Sequence, residues 1–167
     1  LQLATAVSTL ANRGQRFMPY LLLGEQMPGK PYFPQQPTPL EPVTLHDTNY
    51  WAIVINAMQD VVASRQGTAY RFGQHHAYTI AAKTGTAQII AKRGNPDEED
   101  KQDDLPEKLR DHHLFIAFAP VDKPKIALAI ITENSSAAIE AARSIFDYYL
   151  APHPGTPKHV NPSKTHA

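Results

Sequence analysis

The chain has 167 residues, with 16 Lys and Arg against 16 Asp and Glu, so its net charge at neutral pH is zero. That length can carry one domain with a sizeable core, but the charge balance gives no basic excess for nucleic acid or an anionic membrane surface. Cysteine is absent, which excludes thiol catalysis and cysteine metal sites and suits an oxidising compartment; no stretch approaches the roughly 18 apolar residues of a membrane span.

In chain order, Leu3, Ala6, Val7 and Leu10 recur at helical spacing, and Gly14 stands where a helix end favours glycine. Residues 1 to about 13 therefore read as the body of a helix whose beginning lies outside the sequence, as in a piece of a longer protein. "GEQMPGKPYFPQQPTPLEP", Gly24 to Pro42, is rich in proline and predicts an extended surface connector. Trp51, Val54, Ile55, Met58, Val61 and Val62 mark the inner face of a helix from about Asp47 to Ser64, with Asp47 or Thr48 as its cap. "RQGTAYRFG" ends it, with Gly67 as the turn residue.

Strands are predicted at Tyr78 to Ile90, Leu114 to Ala119 and Lys125 to Thr132, the last two joined into a hairpin by "PVDKP". Between the first two runs Ala91 to His113, with eight acidic residues against five basic ones. So long a connection inside a domain is functional or mobile; its composition predicts a solvated flap with a short helix near Leu105 to Arg110. A last helix, about Ser136 to Leu150, is expected to bury Ile139, Ala142, Ile145, Phe146 and Tyr149, and residues 151–167 read as a disordered tail. The fold class is α+β: residues 1–150 form antiparallel strands packed by a C-terminal helix, with two further helices from a neighbouring subdomain.

One stretch does not fit a plain strand. "YTIAAKTGTAQII", Tyr78 to Ile90, interrupts a β-prone apolar run with a lysine and a glycine, both of which weaken strands. Lys83 is either the guard of an exposed edge or part of a site. As a site, the edge suits an anionic, peptide-like ligand. Lys83 supplies positive charge, Thr84 and Thr86 supply hydroxyls for a carboxylate, and Gly85 admits another backbone or a facing domain. The Thr86 N–H, if it points outward, can polarise a carbonyl as half of an oxyanion hole. Pleating sends Lys83 and Thr84 to opposite faces, so a ligand touching both must lie along the rim.

Other features carry less. The pairs His75/His76 and His112/His113 each offer at most one ligand to a given site, and no cysteine or spaced carboxylate set joins them, so no metal is expected. The acidic run Asp97 to Asp104 lacks the pattern of a calcium loop. Trp51 and Met58 read as core residues, and Tyr148 and Tyr149 as ordinary helix packing.

"GTAYRF", "YTIAAKTGTAQ", "RDHHLFIAFAP" and "IALAIITEN", in that order and up to about Leu150, resemble the C-terminal part of the transpeptidase domain of penicillin-binding proteins. The resemblance is to the elongation-specific class B type, the penicillin-binding protein 2 family of Gram-negative bacteria. This superfamily uses three motifs, S-x-x-K, S-x-N and K-[T/S]-G, and Lys83, Thr84 and Gly85 match the third. Ser8, Ser64, Ser135, Ser136, Ser144 and Ser163 match neither of the others. The nucleophile is therefore expected upstream, in another part of the same domain, and this chain alone is expected to be inactive.

The resemblance implies a serine transpeptidase/β-lactamase-like fold and peptidoglycan cross-linking by acyl transfer from D-Ala-D-Ala stem peptides. It places the enzyme at the periplasmic face of the inner membrane, anchored by an N-terminal segment outside this sequence. Implied partners are stem peptides, β-lactams, a membrane glycan polymerase and elongation-complex proteins; no cofactor is implied. At matching positions, Lys83 supplies electrostatics to the serine network, Thr84 and Thr86 bind the substrate carboxylate, and the Thr86 N–H completes the oxyanion hole. "ENSSAAIEAAR" departs from the glycine-rich link expected before the last helix. Arg110 and Asp111 match the family without a derivable role; they either anchor the insertion through a salt bridge or touch substrate. Other readings are a division-type transpeptidase or serine β-lactamase, against which the long insertion with "LRDH" argues, and a β-lactam sensor or non-catalytic interaction module.

Overall fold

The structure is a computed structural model that describes residues 1–74, 77–89, 105–135 and 137–150. Helix α1 (Gln2–Ala11) buries Val7 and Ala11, the inner positions of the apolar repeat. It closes with bonds from Gly14 N–H to the Thr9 carbonyl at 2.9 Å and from Arg13 N–H to the Leu10 carbonyl at 3.0 Å, the paired pattern of a Schellman end. The first left-handed position is Arg13, φ 50°, with Gly14 following at φ 95°. Gly14 is required there for space as well, because a Cβ would stand 2.4 Å from the Val43 carbonyl oxygen.

The proline-rich connector is surface-borne, but it is not featureless. Strand β1 (Arg16–Phe17) pairs with β4 (Pro39–Leu40), and β2 (Gly24–Glu25) with β3 (Phe33–Pro34), both antiparallel. The chain thus doubles back on itself in nested two-residue ladders. Such short pairings leave no periodic signature, which is why the sequence reads only as extended.

Helix α2 (Asn49–Ala63) buries Ile55, Met58 and Val62. Asp47 accepts the Asn49 N–H at 2.8 Å, so the aspartate rather than Thr48 supplies the side-chain bond at this end. Val54, expected on the inner face, is exposed beside Tyr50 and Ile53.

Strands β5 (Ala81–Ala87), β6 (His112–Ala119) and β7 (Ile126–Thr132) form one antiparallel sheet in the order β5-β6-β7. β6 begins at His112, two residues before the predicted strand, where a 3₁₀ turn over Glu107–Leu109 ends the described part of the insertion. The sheet is covered on both faces, and alternation assigns the side chains. Phe115, Ala117 and Ala119 with Ala82 pack beneath α3 (Ala138–Leu150), against Val62, Ala69, Phe72, Ala142 and Phe146. Phe118 and Ala81 face the other way, onto Val7, Ala11, Ile55 and Met58 of α1 and α2. A T-shaped contact between Phe72 and Phe115, with ring centroids 5.0 Å apart, anchors the turn after α2 to the central strand.

In α3 the buried stripe is Ala138, Ala142 and Phe146, a spacing of four that follows one helix face. Ile145 and Tyr149, predicted inside, are exposed, and Tyr148 is 73% exposed; Ile139 and Leu150 pack, partly buried, against the same core. Among the described residues, no helix is long and apolar enough to cross a membrane. His75, His76, the run Asp97 to Asp104 and the predicted tail 151–167 lie outside the described residues.

Candidate active site

The Lys-Thr-Gly strand lies at an edge. Among the described residues, β5 pairs with β6 alone, in the register Lys83↔Ile116, Thr84↔Phe115, Gly85↔Leu114 and Thr86↔His113. In an antiparallel ladder the N–H and C=O of one residue point to the same side, and successive residues alternate. Lys83 Nζ donates to the Thr84 carbonyl at 2.7 Å, which marks Thr84 as an outward residue. Lys125 N–H donates to Ala119 O at 3.0 Å, directing that residue of β6 toward β7. By the same alternation Phe115 and His113, the partners of Thr84 and Thr86, also bond toward β7. Both observations assign the Thr86 N–H to the free edge.

The pleat places Thr84 and Thr86 on the α3 face and Lys83 on the other, and the structure resolves how they meet. Lys83 is exposed and curls around the rim, so its ammonium sits at the strand edge. The Thr84 hydroxyl is 2.9 Å from the Thr68 hydroxyl. One positive charge, two hydroxyls and one N–H are thereby presented along a single edge.

Among the described residues, packing does not demand Gly85. A Cβ there would meet the Leu114 Cβ at 3.4 Å and the Leu114 carbonyl oxygen at 4.0 Å, near ordinary contact. Space on the open side, or a close approach by something outside the described residues, is what a glycine preserves here.

The ends of the insertion are fixed by hydrogen bonds. Asp111 is buried, with 8% exposure, and accepts the Ile89 N–H at 3.2 Å, joining the end of β5 to the start of β6. Arg110 Nε donates to the Leu105 carbonyl at 3.0 Å. These two residues therefore brace the loop base. The link before α3, where glycine was expected, uses Asn134 in the left-handed region at φ 54°, a conformation asparagine tolerates. In the orientation its neighbours require, the Asn134 amide donates to the carbonyls of Arg110 at 2.9 Å and Glu107 at 3.2 Å. Its N–H donates to His112 Nδ1 at 3.2 Å, leaving that ring nitrogen as the acceptor.

A second network holds the approach to β5. Tyr78 donates to Asp147 Oδ1 at 2.7 Å, Arg143 lies 3.9 Å from the same carboxylate, and Arg143 also donates to the Gln74 carbonyl at 3.0 Å. Burial, and then the Asp147 carboxylate that accepts its proton, push the Tyr78 phenol well above its ordinary value. Among the described residues, no group of three or more histidine, aspartate or glutamate side chains is placed to hold a metal ion.

Two residues near the motif were not singled out as site residues from the sequence: Thr68, which bonds Thr84, and His113, which stands opposite Thr86 in the ladder. "GTA" ahead of the motif was the available signal for Thr68; for His113, only the strand register carries it.

A helix-covered antiparallel sheet with Lys-Thr-Gly on its free edge is common to penicillin-binding transpeptidases and serine β-lactamases, and the chain belongs to the first of these: the penicillin binding protein transpeptidase domain matches residues 1–151. It is 36% identical over 162 residues to the peptidoglycan D,D-transpeptidase MrdA of Salmonella typhimurium, covering 93% of this chain and 25% of that protein. The crystal structure of Pseudomonas aeruginosa PBP2 in complex with WCK 5153 is 32% identical, with a TM-score of 0.64 over 94% of this chain and 32% of that one. Penicillin-binding protein A of M. tuberculosis, solved as an imipenem acyl-enzyme complex, is 26% identical, with a TM-score of 0.58 over 85% of this chain and 29% of that one. The similarity is thus to the penicillin-binding protein 2 type, as the order of motifs indicated. This chain spans about a quarter of the length of the curated relatives it matches.

Proposed function

We propose that the whole protein cross-links peptidoglycan and that this chain, with residues 1–150 as its domain portion, supplies the substrate-binding strand. A serine from another part of the domain attacks the penultimate D-Ala carbonyl of a stem peptide. The developing oxyanion is held by the Thr86 N–H and by the N–H of the serine itself. The terminal D-Ala leaves as its amine, and the amine of a neighbouring stem peptide then displaces the serine from the acyl group. Thr84 and Thr86 donate to the terminal carboxylate, or to the ring acid of a β-lactam, while Lys83 contributes positive charge to both the carboxylate and the serine network. The reading places the enzyme at the periplasmic face of the inner membrane, held by an N-terminal anchor. It works there with a glycan polymerase and elongation-complex proteins, and it requires no cofactor.

The observation that carries this reading is the convergence of Lys83 Nζ, the Thr84 hydroxyl and the outward Thr86 N–H on one open edge. The similarity to MrdA and to a protein that forms an imipenem acyl-enzyme supports it. Intact mass spectrometry of the full-length protein with penicillin tests it. The wild type gains one drug mass, and Lys83→Ala does so about 10²- to 10³-fold more slowly, the range for removing one preorganised electrostatic contact, with an unchanged melting temperature. An unchanged acylation rate in Lys83→Ala would refute the assignment.

A further inference from the structure

The turn Gly67-Thr68-Ala69 is more constrained than a connector needs to be. Gly67 N–H bonds the Ser64 carbonyl at 2.9 Å, and Ala69 N–H reaches back to the Val61 carbonyl at 3.0 Å. Ala69 is buried in the core beneath α3. A Cβ on Gly67 would stand 2.2 Å from the Val61 carbonyl oxygen, and one on Gly73 would stand 2.0 Å from that of Val62. Both glycines therefore lie directly on the last turn of α2. Between these fixed points the Thr68 side chain projects outward, and its Oγ1 meets Thr84 Oγ1 at 2.9 Å.

We propose that Thr68 is a positioning residue that sets the proton direction of the Thr84 hydroxyl and so tunes recognition of the carboxylate of the acyl donor. This rests on the reading of Thr84 as a carboxylate donor. A hydroxyl has one proton and two lone pairs. When Thr68 donates to Thr84 Oγ1, the Thr84 proton is left to point over the free edge toward an anion. In the reverse arrangement Thr84 donates to Thr68 and turns its lone pairs toward the carboxylate, which repels them. An arriving anion selects the first arrangement, and in a two-link donor chain each bond polarises the next. Gly67, Ala69 and Gly73 then have a common purpose, which is to hold one hydroxyl at bonding distance from the motif.

The test compares acylation of the full-length protein by benzylpenicillin and by its methyl ester, which lacks the anionic carboxylate. Thr68→Val is expected to slow acylation by the acid about tenfold and to leave the ester rate nearly unchanged, so that the acid-to-ester ratio collapses. Thr68→Ser, which keeps the hydroxyl, restores the ratio. Thr68→Ala, which adds no methyl in its place, gives the same ratio as Thr68→Val and covers the case in which valine disturbs the fold. Equal slowing of acid and ester would mean that Thr68 only supports the turn, and would overturn the proposal. An unchanged ratio in Thr68→Val with a lost ratio in Thr84→Val would overturn this inference alone. Unchanged acid rates in both Lys83→Ala and Thr84→Val would overturn the underlying assignment.

Discussion

Replacing Gly67 by alanine joins local geometry to the site most directly. The φ of Gly67 is not in the left-handed region, so the substitution tests space and not backbone freedom. The added Cβ would lie 2.2 Å from the Val61 carbonyl oxygen and 2.5 Å from that of Asp60. Both obstacles are helix backbone, which cannot swing aside as a side chain can. The turn must therefore retreat by more than an ångström before it reaches ordinary contact at 3.4 Å. Thr68 is the next residue, and its bond to Thr84 is 2.9 Å long; a retreat of that size is enough to take the two oxygens out of hydrogen-bond range. Overpacking costs about 1–3 kcal/mol, and the lost bond adds about 1 kcal/mol. Thermal unfolding of the full-length Gly67→Ala protein should show the transpeptidase domain melting several degrees lower, at about 2–4 °C per kcal/mol for a domain of 150–250 residues. Its acylation by penicillin should also slow, by at least the factor expected for Thr68→Val. Wild-type melting and wild-type acylation together would mean that the turn does not rest on α2 as described.

Gly85→Ala makes the opposite separation. With Leu114 Cβ at 3.4 Å as its nearest neighbour, the new methyl should change stability by no more than about 1 kcal/mol while acylation by penicillin falls at least tenfold, as measured by stopped-flow and thermal melting side by side; unimpaired acylation would show that nothing approaches this face. Tyr78 predicts a pH effect. Its phenol pKa is raised in the folded protein, so its stabilising contribution is complete below the ordinary value of about 10 and is lost as pH rises above it. Urea unfolding from pH 8 upward should show a wild-type advantage over Tyr78→Phe that shrinks above pH 10; an advantage independent of pH would contradict the Tyr78–Asp147 bond.

Much of the fold was written in short-range patterns. The apolar repeats of α1 and α2, the short apolar run of β6 and the turn signal before β7 are each local features of a single element. The misassigned residues are those whose fate depends on a neighbour. Ile145 and Tyr149 fit a helical stripe as well as Phe146 does, yet the core takes Ala138, Ala142 and Phe146, with Ile139 and Leu150 at its margin. Val54 likewise fits the inner face of α2, but that face is set by where β5 and β6 lie. The paired ladders in and beside the proline-rich stretch depend on residues well separated in sequence, from Glu25 and Phe33 to Arg16 and Leu40.

For the site, the sequence by itself determined the chemistry on offer: Lys83, Thr84, Gly85 and Thr86 in one strand, no S-x-x-K or S-x-N motif in these residues, and a long acidic insertion after them. It could not determine which way each backbone group points, because that phase is set by pairing with β6 and not by β5. The tertiary structure decided three things: that the Thr86 N–H faces the open edge, that Lys83 bends around the rim to join the threonines, and that Thr68 comes within bonding distance of Thr84 across sixteen residues of chain. Each is a relation between elements, fixed by packing of the turn and the sheet against α2 and α3, and a linear pattern holds no record of it.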